Sequence, residues 1–406
     1  METGKRILCS MLGAVMLIVS STVSYAEEEK LQLYAKAAVL MDADSMRVLY
    51  GVNEDEQLPM ASTTKIMTLL VTLENADLNS VVTISDYAAS MPEVKLNCRS
   101  GEQYYLKDLV YSMMLESHND SAVAIAEHVG GSVTEFAKMM NEKASEIGCE
   151  NTWFITPNGL DATETVTTEK GEEELTHATT AKELARILSY SITKSECKDI
   201  FLAITQTPSH TFTDLSGRRS FSCTNHNALL SMLSGAISGK TGYTGKAGYC
   251  YVGAVQREDK TLVVALLACG WPSHKTYKWK DTTKLMEYGF HNYIKFDLDN
   301  VEIPEEYLTP VRVSDYDDSK GKVRVRAAEN KERSGKILMR KDEKVTVECE
   351  RMEQISSPVH EGEIVGKITY YCGDDCVKEL TLEMGQDVEK ITFWEIYQKI
   401  AEHWKI

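Results

Sequence analysis

The sequence predicts an α/β protein of the α+β type: an antiparallel sheet covered by helices, with a helical subdomain, then a small all-β domain and a C-terminal amphipathic helix. Three observations carry this. Strand patterns stand at both ends of residues 36–293 with helical patterns between them, and one sheet under a helical layer is the simplest way to bury both. Residues 297–385 show short β-like runs between polar turns and no helical period. Residues 388–406 are helical again, with Ile391, Trp394, Tyr397, Ala401 and Trp404 on one face.

Taken in order, Lys36 to Met41 and Met46 to Gly51 flank Asp42-Ala-Asp-Ser45 as a hairpin. A helix begins near Ser62 and continues from Met67 to Glu74. Further helical runs span Leu106 to Leu115 and Asp120 to Val129. Two capping boxes follow, Ser132-Val-Thr-Glu135 and Thr180-Ala-Lys-Glu183, each ahead of an apolar helical face. Thr156-Pro-Asn-Gly159 between them is a turn signal. Strands are expected at 212–215, 218–222, 236–241, 249–255 and 261–269, and a helix from Asp281 to Tyr293. The small domain should hold strands near 311–313, 322–326, 344–349, 363–371 and 379–382. The last helix fits either a membrane interface or a dock on the β-domain, and its two Trp residues favour the interface.

Lys5 and Arg6, an apolar run from Ile7 to Val19, and Ser24-Tyr25-Ala26 form a secretory signal, so residues 1–26 should be removed and the rest exported. The expected organisation is then a main domain over 27–295, a β-rich domain over 296–387 and the helix over 388–406. The net charge of −17 opposes binding to nucleic acid. Ten cysteines are present and nine follow the signal, an odd number that leaves at least one unpaired. Cys372 and Cys376 are near enough to pair, but no zinc spacing surrounds them. No H-E-x-x-H spacing occurs among the His residues, so His128 and His177 read as structural or exposed and no cofactor or metal is expected.

Chemistry enters with Ser62-Thr-Thr-Lys65. On a helix these positions share a face, and a desolvated lysine can take the proton of a serine hydroxyl. Ser117-His-Asn119 lies between two helical runs, where a hydroxyl can relay protons and an amide can both donate and accept. Taken alone, the tripeptide reads first as the start of a helix capped by Asn119 or Asp120. Lys240-Thr-Gly242 sits in a glycine-rich strand whose backbone can pair with an extended peptide, and Lys240 can hold a carboxylate and depress the pKa of a second lysine. Alone it is also a plain glycine-rich hairpin. It is no phosphate loop, because Ser234 stands where that motif needs its first glycine.

The ordered set S-x-x-K, S-x-N and K-T-G resembles the low-molecular-mass penicillin-binding proteins, specifically the serine-type D-alanyl-D-alanine carboxypeptidases. Residues 59–65, 116–122, 151–160 and 238–250 carry the likeness, which runs over about 33–293; His118 departs from it where these enzymes usually have glycine. The resemblance implies a β-lactamase/transpeptidase-like fold and a peptidase that removes the terminal D-Ala from peptidoglycan stem peptides. Ser62 would be the nucleophile, Lys65 its base, and Ser117 and Asn119 would assist proton transfer and hold substrate. Lys240 and Thr241 would bind the terminal carboxylate, Gly242 would permit close approach, and the backbone N–H groups of Ser62 and Tyr243 would form the oxyanion hole. β-Lactams would acylate Ser62. Two rivals remain: a β-lactamase, for which Glu172-Glu-Glu-Leu-Thr176 is an imperfect deacylating loop, and a catalytically silent wall-binding protein.

Overall fold

The computed structural model describes residues 31–168, 171–315, 325–329 and 335–404. The expected signal segment, residues 1–26, and most of the expected 322–326 strand lie outside these residues. Five antiparallel strands form the main sheet, in the order Val48–Val52, Ala37–Asp42, Lys260–Leu267, Gly248–Arg257, Ala236–Thr244. Ala37–Asp42 and Lys260–Leu267 are the apolar runs AAVLMD and KTLVVALL, buried on both faces, because helices cover the sheet on two sides. Ala37, Val39 and Met41 pack into the helical block with Leu184 and Leu188. Leu40 and Leu262, on the other face, touch Gly289 of the helix Tyr277–Asn292.

The helical block holds Lys65–Asn75, Leu106–Leu115, Asn119–Gly130, Val133–Ile147, Ala181–Thr193 and Lys198–Gln206. Both capping boxes supply their N-cap bond: Ser132 Oγ accepts from Glu135 N at 3.1 Å and Thr180 Oγ1 from Glu183 N at 3.1 Å. Gly148 ends the first of these helices in the left-handed conformation, at φ 81°. The helix expected from Asp281 begins four residues earlier, at Tyr277, behind a Thr276 whose side chain makes no cap bond.

Tyr277–Asn292 runs straight into the strand Tyr293–Asp297, which pairs with Lys336–Arg340. Beyond it a four-stranded sheet, in the order Val325–Glu329, Asp375–Met384, Ile364–Cys372, Val345–Arg351, encloses its own core of Ile337, Val365, Ile368, Tyr370, Leu382 and Met384. Arg47 ties the two cores: its guanidinium donates to both Glu343 oxygens at 2.7 and 3.0 Å, to Asp375 at 2.9 Å and to the Leu338 carbonyl at 2.9 Å.

The C-terminal helix spans Phe393–Trp404 rather than starting at 388. Val388 instead makes a β-bridge to Val359. Thr392 and Glu395 form a capping box that the sequence reading missed: Thr392 N donates to Glu395 Oε2 at 2.7 Å and Glu395 N to Thr392 Oγ1 at 3.3 Å. No residue of this helix is buried, and Phe393, Trp394 and Trp404 are 74, 71 and 72% exposed, so none of the described residues covers its apolar face. Among the described residues no helix is long and apolar enough to cross a membrane. None of the described cysteines, Cys372 and Cys376 included, forms a disulfide.

Candidate active site

Ser62 lies in a single 3-10 turn, Ala61–Thr64, that feeds the helix Lys65–Asn75. Side chains tie the turn down locally: Thr63 Oγ1 donates to Met60 O at 2.6 Å and Thr64 Oγ1 to Ala61 O at 2.8 Å. The helix is buried from Lys65 to Leu73, so Lys65 enters the core with its amine. That amine has three partners: Ser62 Oγ at 2.8 Å, Asn119 Oδ1 at 3.0 Å and Asn158 O at 2.6 Å. A neutral amine has two N–H donors and one lone pair, so two carbonyl-type acceptors and one hydroxyl satisfy it fully. Burial, then the Lys240 charge, push the Lys65 pKa well below its ordinary value, while Asp120 opposes them.

Ser117 takes the left-handed conformation at φ 70° between two helices, and its Oγ accepts from Lys240 Nζ at 2.9 Å. Asn119 opens the helix Asn119–Gly130 but does not cap it; its N–H donates to Val94 O at 2.8 Å and its Nδ2 to Pro92 O at 3.2 Å, leaving Oδ1 for Lys65. Asp120 does not cap the helix from the N-cap position either: its carboxylate accepts from Leu96 N at 2.9 Å and Cys98 N at 3.0 Å, which holds the neighbouring loop. His118 is absent from the residues lining the cleft. It turns inward, bonds Ser112 Oγ at 2.7 Å, and has its pKa lowered by burial, so it neither narrows the cleft nor presents a titrating group there.

Lys240 to Tyr243 lie on the edge strand Ala236–Thr244. Lys240 is buried, and desolvation lowers its pKa to about 7. Gly242 faces the turn carrying Ser62 so closely that an added Cβ would stand 2.9 Å from Ser62 N. Thr241 and Tyr243 line the cleft, with the Tyr243 ring against Tyr249 at 4.7 Å between centroids. This cleft, about 570 Å³, also admits Ser62, Ser117 and Asn119. Every residue singled out for catalysis or binding therefore borders one cavity or bonds a residue that does. Glu172 is elsewhere, on the strand Gly171–Thr176 paired with Thr163–Thr168.

The profile of the D-alanyl-D-alanine carboxypeptidase family matches residues 23–269, well over half of the chain. The chain belongs to that family. A second profile, the C-terminal domain of penicillin-binding protein 5, matches residues 311–390. The D-alanyl-D-alanine carboxypeptidase DacF of Bacillus subtilis is 28% identical over 98% of this chain and 99% of its own length. DacB2 of Mycobacterium tuberculosis is 34% identical over 63% of this chain and 82% of its own. Penicillin-binding protein 5 of Haemophilus influenzae superposes with a TM-score of 0.67 at 25% identity, over 89% of this chain and 99% of that one. The protein is thus a D-alanyl-D-alanine carboxypeptidase, a serine peptidase and low-molecular-mass penicillin-binding protein of peptidoglycan metabolism.

Two parts of the carboxypeptidase cleft escaped the sequence reading. Asn158 contributes a backbone carbonyl, which carries no side-chain signature; the Thr156–Gly159 turn signal and the family likeness over 151–160 marked the segment but not this role. Gly159 adopts φ 85° beside it, and an added Cβ would stand 2.0 Å from Ala61 O, so this turn presses on the segment carrying Ser62. Lys278 and Trp279 line the cleft from the first turn of the helix Tyr277–Asn292, ahead of the start expected at Asp281. The Lys278 amine lies 4.6 Å from the Tyr249 ring centre and 4.9 Å from that of Trp279, and burial lowers its pKa.

Proposed function

We propose that Ser62 is the acylated residue and that Lys65 is its base. The observation that carries this is the fully buried Lys65 amine, 2.8 Å from Ser62 Oγ with its other two positions taken by carbonyl oxygens. In the neutral state it accepts the Ser62 proton as Oγ attacks the carbonyl of the penultimate D-Ala. The N–H groups of Ser62 and Tyr243 stabilise the oxyanion, Gly242 lets the substrate strand approach, and Asn119 holds the amine and the substrate. The C–N bond breaks, and the leaving D-Ala nitrogen takes a proton by way of Ser117, which Lys240 bonds at 2.9 Å. Lys240 and Thr241, with Lys278 as a further cation, bind the terminal carboxylate. Water then hydrolyses the Ser62 ester.

The test is intact-mass and peptide mapping after exposure to penicillin, together with D-Ala release from a peptide ending in D-Ala-D-Ala. A lasting penicilloyl adduct on the peptide containing Ser62, with D-Ala released, is expected. Rapid loss of the adduct would favour a β-lactamase, and no adduct would sink both enzyme readings.

We further propose that the signal directs export, that 27–295 and 296–387 work as catalytic and supporting domains, and that the C-terminal helix seats the enzyme on the outer face of the membrane. The bare apolar face of Phe393–Trp404 supports the last point. Flotation with phosphatidylethanolamine–phosphatidylglycerol vesicles should carry residues 27–406 and should fail when 392–406 are removed. Equal flotation of the two forms overturns the anchor.

A further inference from the structure

We propose that His177 is a positioning residue that sets the Ser62–Lys65 geometry from behind the cleft; this rests on the reading of Ser62 and Lys65 as nucleophile and base. Residues 177–179 stitch together the two segments that form the catalytic pair. His177 N donates to Ala162 O at 2.9 Å, Ala178 and Trp153 exchange backbone bonds at 2.9 and 3.1 Å, and Thr179 and Leu58 exchange bonds at 2.8 and 3.0 Å. The first two partners belong to the loop carrying Asn158. Leu58 belongs to the run that leads into Ser62.

The imidazole repeats this link at closer range. It is 1% exposed, and its Nδ1 lies 2.9 Å from Ile155 N and 3.3 Å from Thr156 N. Backbone N–H groups only donate, so Nδ1 is the acceptor and the ring proton sits on Nε2. Nε2–H therefore donates to Thr64 Oγ1 at 2.9 Å, and the Thr64 hydroxyl passes its own proton to Ala61 O at 2.8 Å. Every donor and acceptor direction in this chain is fixed.

Its two ends are the two sides of the catalytic pair. One ring nitrogen fastens Ile155 and Thr156, which lead into Asn158, whose carbonyl lies 2.6 Å from Lys65 Nζ. The other fastens, through Thr64, the carbonyl of Ala61, next to Ser62 and under Gly159. The span of one rigid ring thus controls how far the Lys65 amine stands from the Ser62 hydroxyl. Burial, then the nearby Lys65 charge, keep the ring neutral, with its pKa lowered to about 3, so one tautomer serves throughout the working range.

The test separates binding of a fluorescent penicillin from the acylation step by pre-steady-state kinetics. His177→Phe keeps a ring of similar size but no polar atom. It should slow acylation by about 10²-fold, as expected for a misplacement of order 1 Å, with the dissociation constant unchanged. His177→Gln retains one acceptor and one donor and should recover to within about fivefold of wild type. Thr64→Val should slow acylation like His177→Phe, Thr64→Ser should not, and the double variant His177→Phe/Thr64→Val should be no slower than the slower single. Wild-type acylation by His177→Phe, equal losses in the Phe and Gln variants, or losses that multiply in the double overturn the proposal. Should His177→Phe fail to fold, the Thr64 pair decides: wild-type acylation by Thr64→Val overturns it, and a Val-only loss sustains it. A wild-type enzyme that takes no label at Ser62 sinks the catalytic reading itself.

Discussion

Replacing Lys65 by methionine lowers the rate of Ser62 acylation by about 10³- to 10⁵-fold, on the scale of losing a base that acts as one unit with its nucleophile. Methionine has similar length and suits the buried helix Lys65–Asn75, so the helix should persist. The cost to folding is limited: Asn119 Oδ1 and Asn158 O each lose a donor, at roughly 1–3 kcal/mol per orphaned acceptor, but a buried amine is removed as well. Lys65→Arg decides whether charge or basicity matters. A guanidinium keeps the positive charge and does not give up its proton at working pH, so it cannot accept one from Ser62. Both variants should therefore be silent toward fluorescent penicillin while melting cooperatively. Rapid labelling of the Arg variant would show that Lys65 acts as a fixed charge, and the base role would fall.

What the sequence made legible follows physical locality. Ser62 and Lys65 are three residues apart, and the caps at Ser132 and Thr180 bond three residues ahead, so each is written in one short window. The start of the helix Tyr277–Asn292 was misplaced because Thr276 offers no cap and Tyr277 to Lys280 alternate aromatic and basic side chains without an apolar stripe. That small error hid Lys278 and Trp279, which only the first helical turn brings into the cleft. Remote partners were beyond reach for a different reason. Thr64 and His177 are 113 residues apart and Arg47 and Glu343 are 296 apart, and nothing local in either sequence position names the other. Val388 shows the same limit: its residues fit the helical period, yet a bridge to Val359 keeps it in the β-domain and the helix waits for Thr392. His118 stands where the family usually has glycine, and only its bond to Ser112 Oγ, a tertiary contact, shows that the ring turns away from the cleft that Ser117 and Asn119 line.

Lys240→Gln tests the second lysine through pH as well as rate. Under the proposed mechanism two conditions must hold together in the wild-type enzyme. Lys65 must be neutral, which holds above its strongly lowered pKa; Lys240 must be charged to attract a carboxylate, which holds below about 7. The profile of kcat/KM for a D-Ala-D-Ala peptide is therefore a bell, and its alkaline limb falls tenfold per pH unit above about 7. Glutamine keeps a hydrogen-bond donor for Ser117 but carries no charge, so kcat/KM below neutrality should drop by about 10²-fold, the scale of a lost charge-assisted contact. The alkaline limb should vanish, because nothing remains at that position to deprotonate. The acid limb should move to higher pH: the Lys240 charge is the second cause of the lowered Lys65 pKa, and removing it lets Lys65 hold its proton more tightly. An unchanged acid limb would mean that burial alone sets the Lys65 pKa, and a surviving alkaline limb would assign that titration to a group other than Lys240.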